Sequence, residues 1–447
     1  MVASDAWRRA AAFAAFSALA PAPPLDSIVD RELASLVSIY KTLHAAPELS
    51  HHEEKTSALL ASELRAAGFV VTERVGRFDT PGWTGYGVVG VLKNGQGPTV
   101  LVRTDMDALP VEEKTGLPYA SKMRTKTDAG QEVGVMHACG HDVHMASFIG
   151  TARVLSALKD RWRGTLLLVG QPAEETIDGS RAMLDDDLYG RFGKPDFAIA
   201  LHDQSDLEAG KVGWCPGYAL ASSTSVDITV RGVGGHGSRP EATKDPIVVA
   251  SEIVLALQTI VSRENSPLDP AVVTVGSIHG GAKRNIIPDE VLLQLTVRAY
   301  KEEVRVRMIA SIERIARGIA QAAGIPADRA PVVKVMESEV APATWNDPAL
   351  TERLAKVFEK ELGPANVVRW DPVMGSEDFG RFALADRSIP ASIFWLGAIE
   401  PGSVRRSQQG GTPLPSLHSA LFAPLPEPTL RTGVRSTAAA VLELLKK

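Results

Sequence analysis

Residues 164–175 read GTLLLVGQPAEE, and this stretch decides the architecture. Leu166, Leu167, Leu168 and Val169 form an unbroken apolar run of strand length between two glycines. Such a run predicts a strand buried on both faces, as in a sheet covered by helices on each side. Pro172 cannot continue a central ladder, so the strand ends there. Glu174 and Glu175 follow at once. Adjacent strand residues point to opposite faces, so both carboxylates can enter one site only beyond the strand's end. Sites in open α/β sheets lie beyond those carboxyl ends.

Three neighbouring segments repeat the arrangement. Pro98–Val102 is an apolar strand candidate that leads into Arg103, Thr104, Asp105, Met106 and Asp107. Phe197–Leu201 is another, followed by His202 and Asp203. Cys139, Gly140, His141 and Asp142 precede a helix read from near Met145, with apolar residues at Met145, Ile149, Ala152, Leu155 and Leu158. Two helical patterns between Leu33 and Gly68 flank Ala45-Ala46-Pro47. The expected class is therefore α/β, a mixed sheet with helices on both faces.

From Thr224 the pattern changes. Val226, Ile228 and Val230 alternate, predicting a strand with one exposed face. A helix over Asp245–Arg263, strands over Val272–Ile278 and Glu290–Ala299, a helix over Glu302–Ala323 and a strand over Pro331–Met336 complete β-α-β-β-α-β. That order is a ferredoxin-like unit. It reads as an insertion at residues 222–339, dividing the first domain into residues 26–221 and 340–447. A helix over Pro348–Glu361, a strand over Ser392–Gly397 and a helix over Leu430–Leu445 finish the interrupted domain.

Composition narrows the function. The 447 residues are 45% hydrophobic and 23% charged, an ordinary globular balance. Lys+Arg is 48 and Asp+Glu is 53, so the net charge is −5 and no nucleic-acid footprint is expected. No membrane partner is expected either, because no apolar run approaches the ~20 residues a spanning helix needs. Two cysteines make no disulfide framework. Arg8 and Arg9, the apolar run Ala10–Ala20 and the small residues Ala18-Leu19-Ala20 have the layout of a secretory signal peptide within residues 1–25. The alternative is a helical or flexible extension. The first places the mature chain in the periplasm or outside the cell, the second in the cytoplasm.

Within His137-Ala-Cys139-Gly-His141-Asp142-Val-His144, three imidazoles, a thiol and a carboxylate crowd eight positions. That is neither a comfortable core nor an ordinary solvated face. Thiolate, imidazole and carboxylate together make a transition-metal site. One of Glu174 and Glu175 would ligate, leaving the other as a general base. His44 lies in a helix, and His51-His52-Glu53-Glu54 reads as a polar helix start. His279 falls in a lid strand, and Cys215 reads as structural. There is no Gly-x-Ser-x-Gly elbow and no phosphate-binding loop.

As a set, these residues resemble the two-metal aminoacylase/amidohydrolase metallopeptidases, in the branch of hippurate, auxin-conjugate and N-acyl amino acid amidohydrolases. The matching segments are LHAAPELS (43–50), VRTDMDALPVEE (102–113), MHACGHDVHMA (136–146), GQPAEE (170–175), ALH (200–202), GVGGHGSRP (232–240), RNIIPDE (284–290), MGSEDF (374–379) and SLHS (416–419). The resemblance implies a metallo-exopeptidase-type catalytic domain whose inserted unit is a lid that also forms a homodimer. It implies two divalent metal ions per subunit, Zn or Mn, with Co or Ni admissible. The ligands would be Cys139, His141, Glu175, His202 and His418, with an unpaired Cys139 bridging as thiolate. Glu174 would be the general base. His236 would bind substrate or stabilise the oxyanion, and Asn285 and Arg298 would hold the substrate carboxylate. Asp142 and His144 would orient the ligands, and Ser376–Phe379 would lie near the site. The implied reaction is hydrolysis of an N-acyl amino acid or related conjugate. A dipeptidase or carboxypeptidase with the same chemistry is the near rival, and a non-catalytic metal-binding relative the distant one. Glu241 stands where relatives often carry His, and Asp203-Gln204-Ser205-Asp206 is more polar than the pattern leads one to expect.

Overall fold

The computed structural model describes residues 24–446. The expected leader lies outside these residues except for Pro24 and Leu25, where the first helix begins. An eight-stranded mixed sheet forms the larger part of the molecule. Its strands run in the order Val70–Val75, Gly87–Asn94, Gly164–Gln171, Thr99–Asp105, Phe197–Glu208, Ala391–Ile399, Val212–Trp214 and Val367–Arg369. The four central strands are parallel, and the antiparallel pairs lie toward the edges. The GTLLLVG run is buried along almost its whole length, and its strand stops at Gln171.

Helices cover both faces. On one, the helices Leu25–Ala45, His141–Ala157, Pro348–Leu362 and Pro426–Leu444 enclose the main core, with Leu36, Ile149, Phe358, Phe394 and Val434. Gly150 lets three helices meet there, since a Cβ would fall 2.5 Å from Val434 and 2.7 Å from Leu36. On the other face, Met183, Leu188, Phe379 and Phe382 pack against Leu101, Leu167 and Ile393.

Residues Ser222–Ala341 form a second, four-stranded antiparallel sheet with the order Ala271–Gly280, Glu290–Ala299, Ser222–Arg231 and Val332–Ala341. This is the ferredoxin-like arrangement read from the alternating pattern. Its own core joins Val226, Ile228, Leu293 and Val297 to the helices Pro246–Thr259 and Glu302–Ala322.

Three expectations need correction. The helical run Pro246–Glu264 has 19 residues and is apolar enough to pass as a membrane span. It is nevertheless built into the second sheet through Val249, Ile253 and Leu257, while Ile247, Val248 and Leu255 remain exposed. The helix expected near Met145 starts one turn earlier, at His141, because Gly140 takes a left-handed conformation (φ +75°) that no side chain favours and caps it there. The strand expected to end at Leu201 runs on to Glu208, because it pairs with Ala391–Ile399 beyond the point where pairing with Thr99–Asp105 stops.

The chain returns from the second sheet through Thr344–Asn346, which pairs with Gly217–Leu220. Fully buried Asn346 clamps this junction. Its Nδ2 donates to the carbonyls of Cys215 and Ile393, both at 2.8 Å, and its Oδ1 accepts from the Ile393 amide at 2.8 Å. Asn346→Ala strands three buried backbone groups and is expected to cost about 2–4 kcal/mol. Urea unfolding checks this, and a loss below about 0.5 kcal/mol would contradict the clamp.

Candidate metal centre

The polar groups expected at the strand ends do meet. Cys139 lies between three imidazoles and a carboxylate. Its Sγ is 3.6 Å from Nε2 of His202 and 3.2 Å from Nε2 of His418. His141 Nε2 is 3.8 Å from Glu174 and 3.9 Å from Glu175, and His418 Nε2 is 3.6 Å from Glu175. Donor atoms within 4.8 Å of one another group as Cys139–His141–His202, Cys139–Glu175–His418 and His141–Glu174–Glu175. Cys139, His141 and Glu175 each belong to two of these groups, so the groups share one continuous cluster.

Local geometry aims the donors. Gly140 is needed twice, for its positive φ and because a Cβ there would run into the Asp203 carboxylate. His141 donates from Nδ1 to the Asp107 carbonyl at 2.8 Å, and His202 donates from Nδ1 to the Asp203 carbonyl at 2.7 Å. In both rings Nδ1 carries a proton held by a carbonyl and Nε2 faces the cluster, the usual way a ligating His is oriented. His418 sits at φ +66°, and its amide donates to Ala138 at 2.8 Å. Glu175 is held by its own amide, which donates to Asp107 Oδ2 at 2.9 Å.

The electrostatics fit a cation. Burial pushes the Cys139 thiol well up, and the Glu175 charge adds to this. Burial, helped by Glu377 and Glu175, also raises Glu174. Burial lifts Glu175 to about 8, with His141 opposing. Burial lowers His202 and His418, and neighbouring imidazoles lower them further. His141 Nε2 and Glu175 Oε1 are buried and have no hydrogen-bond partner. Each such orphan costs about 1–3 kcal/mol. A divalent ion satisfies both and reverses the local pKa balance. The donor set therefore fits metal, and the free Cys139 and Cys215 leave the thiol available.

Other expected residues fall elsewhere. Asp142 does not orient a ligand. Its carboxylate meets His44 Nδ1 at 2.7 Å, because position 142 projects from a different side of the helix than 141. Asp107 and the Asp203 carbonyl orient the ligands instead. His144 acts at one remove, donating from Nδ1 to Asp105 at 2.7 Å and accepting from the Asp203 amide at 2.8 Å. Arg298 reaches the rim, where Nη1 donates to the Met374 carbonyl at 3.0 Å and its charge helps lower His418. His236 is exposed and bonded by Ser238, and Asn285 is exposed in the adjoining turn, where its carbonyl accepts from the Gly237 amide. Among the described residues neither contacts the cluster.

The sequence reading passed over several groups. Arg103 is buried and binds Asp105, Glu377, Asp378 and Gln171. A lone Arg in the apolar run TVLVRTD was the available sign. The expected polar helix start does lead into the helix Glu54–Ala66, with Glu53 at its N-cap, but His51 and Glu53 are buried while His52 and Glu54 are exposed. His51 is stacked on Trp83 at 3.6 Å between ring centroids, and its Nε2 meets Asp178 at 3.1 Å. Glu53 has no exposed surface.

Comparisons with known proteins agree with this geometry. A family model described as peptidase family M20/M25/M40 matches residues 101–409. Thermostable carboxypeptidase 1 of Saccharolobus solfataricus is 35% identical over 415 residues, 92% of this chain and 96% of that protein. A hippurate hydrolase of Campylobacter jejuni is 39% identical over 342 residues, 76% of this chain and 82% of that protein. The crystal structure of a dinuclear metal-binding peptidase of the M20 family from Bacillus subtilis matches with a TM-score of 0.70 at 27% identity. That match covers 94% of this chain and 99% of that one.

Metal ligands must be deprotonated, and the raised Cys139 and Glu175 hold protons at pH 7 in the metal-free chain. Zn2+ or Mn2+ loading is therefore expected to release protons, and apparent affinity to rise from pH 6 to 8. Calorimetric titration in two pH 7 buffers of different ionisation heat measures this, and a buffer-independent heat would contradict it.

Proposed function

The chain belongs to peptidase family M20/M25/M40 and is a metal-dependent amidohydrolase; from that premise we propose that its substrates are N-acyl amino acids, split into a carboxylic acid and an amino acid. The observation that carries this reading is the pairing of a Cys139-centred donor set with one further carboxylate, Glu174, close enough to act on the same substrate. Cys139, His141, Glu175, His202 and His418 would hold two divalent ions. Such ions supply Lewis acidity, bringing the pKa of water down to about 7 and polarising the scissile carbonyl. Zn suits the mixed thiolate and imidazole donors, and Mn, Co or Ni can occupy the same set.

Glu174 takes the proton as water oxygen attacks the carbonyl carbon. It returns that proton to the amide nitrogen as the C–N bond breaks. Arg298, whose guanidinium lies close enough for its charge to act on His418, would hold the carboxylate of the amino acid.

The unit at residues 222–339 serves as a lid and as the homodimer contact. Support comes from its exposed apolar surface: Ile247, Val248 and Leu255 on the Pro246–Thr259 helix, and Ile278 on the outermost strand Ala271–Gly280. Such an uncovered edge invites pairing with a second copy. His236, exposed on the same unit, fits an oxyanion donor supplied across that dimer. A carboxypeptidase reading rests on the archaeal relative, which spans more of this chain than the hippurate hydrolase does.

Glu174→Gln is expected to lower kcat by about 10²–10⁴-fold with metal content unchanged. Amine release from N-acetyl and N-benzoyl amino acids beside dipeptides measures it. Preference for dipeptides would move the assignment to the carboxypeptidase, and undiminished turnover in the variant would remove Glu174 from the reaction. Leu255→Glu combined with Ile278→Lys is expected to yield monomers. Light scattering after size exclusion tests this, and a dimer unaffected by both changes would place the interface elsewhere.

A further inference from the structure

Glu53 is a fully buried carboxylate that the proposed chemistry does not use. No cation pairs with it among the described residues. Burial, with Asp107 adding, pushes its carboxyl well up. Its Oε2 is buried without a partner. An apolar residue of similar size would sit there at lower cost. What the carboxylate does is accept the amide N–H of Ala173 at 2.7 Å through Oε1.

Ala173 is the residue that lets two adjacent glutamates face one site. It sits at φ +52°, in the left-handed region that side chains disfavour. Ile177, at φ +65°, closes the same loop. The Gly179 amide donates to Ala173 and the Ile177 amide donates to Glu174, but these bonds only tie the loop to itself. Glu53 ties it to a fixed frame. Its segment is anchored where the Ala108 amide donates to the Glu48 carbonyl and Ser50 donates to Asp107 at 2.6 Å. Asp107 is the same residue that orients His141 and Glu175. Glu53 thus relates the carboxylate loop to the imidazole side of the cluster.

We propose that Glu53 is a positioning residue, holding Ala173 in its left-handed turn so that Glu174 and Glu175 both reach the Cys139 cluster. The catalytic consequence rests on the amidohydrolase reading, and the metal-binding consequence does not. Glu53→Met fills the space but removes the acceptor, whereas Glu53→Gln keeps it. Ala173→Gly supplies a residue that adopts positive φ unaided.

The test follows Co2+ titration of the metal-stripped chain by absorbance, thermal melting, and turnover of N-benzoylglycine by the Co2+-loaded enzyme. Glu53→Met is expected to weaken one of two Co2+ equivalents by about 10–100-fold, as loss of a ligand-orienting group does. It should lower kcat by a similar factor with KM little changed. Glu53→Gln should stay within about 3-fold of the parent, and Ala173→Gly should restore part of the loss when added to Glu53→Met. Two undisturbed Co2+ equivalents in folded Glu53→Met would overturn the proposal. So would Glu53→Gln, which keeps the fold, failing as badly as Glu53→Met. If the parent does not hydrolyse N-benzoylglycine, the Co2+ titration still decides the role of Glu53.

Discussion

A single buried guanidinium holds the catalytic end of the main sheet together. Arg103 donates to Asp105 at 2.7 Å, to Glu377 at 2.8 Å, to Asp378 at 3.2 Å and to Gln171 at 2.9 Å, with its side chain wholly buried. Burial alone would lower the pKa of Arg103, but Glu377, Asp105 and Asp378 outweigh it and hold the charge firmly. The four partners come from two neighbouring parallel strands and from a segment some 270 positions away. A planar fork suits this better than a flexible ammonium would. The group stabilises no fold by itself, since desolvation consumes most of what a buried ion pair gains. Its effect is geometric, because removing the cation would leave three carboxylates in a dry interior.

From that fixed end the cluster grows outward through carbonyls and carboxylates rather than through apolar packing. Asp105 holds His144, and His144 receives the Asp203 amide. The Asp203 carbonyl orients His202, and Asp107 orients His141 and anchors Glu175. His141, His202 and Glu175 thus each rest on a polar partner that is itself held. His418 arrives from the far end of the chain on a left-handed residue and is the most exposed of the five. The open side of the cluster therefore faces the rim where Arg298 stands.

Much of this was legible in the chain. GTLLLVG, the segments ending in Asp105 and His202, and the alternating strands after Thr224 gave the α/β class and the ferredoxin-like unit, because burial on one face or two leaves its own period. Cys139, His141, Glu174, Glu175 and His202 could be grouped because they follow strands or precede a helix, and such ends converge in a parallel sheet. His418 came only with the family resemblance. His51-His52-Glu53-Glu54 does lead into a helix, with Glu53 at its N-cap, but the burial of His51 and Glu53 went unread because a polar run looks the same whether its side chains face solvent or lie against a loop. Asp142 was misassigned because proximity in sequence says nothing about which side of a helix a residue leaves.

The sequence by itself determined which main elements form and which donor chemistries are present, since these depend on local pattern and residue type, while the extension of the Phe197 strand to Glu208 came from its pairing with Ala391–Ile399. Tertiary structure alone decided that Arg103 binds Glu377 and Asp378, that Asp107 serves His141 and Glu175 together, and that Glu53 meets Ala173. Each of these joins residues distant in the chain through hydrogen bonds a few ångströms long, and no local periodicity encodes such a partner.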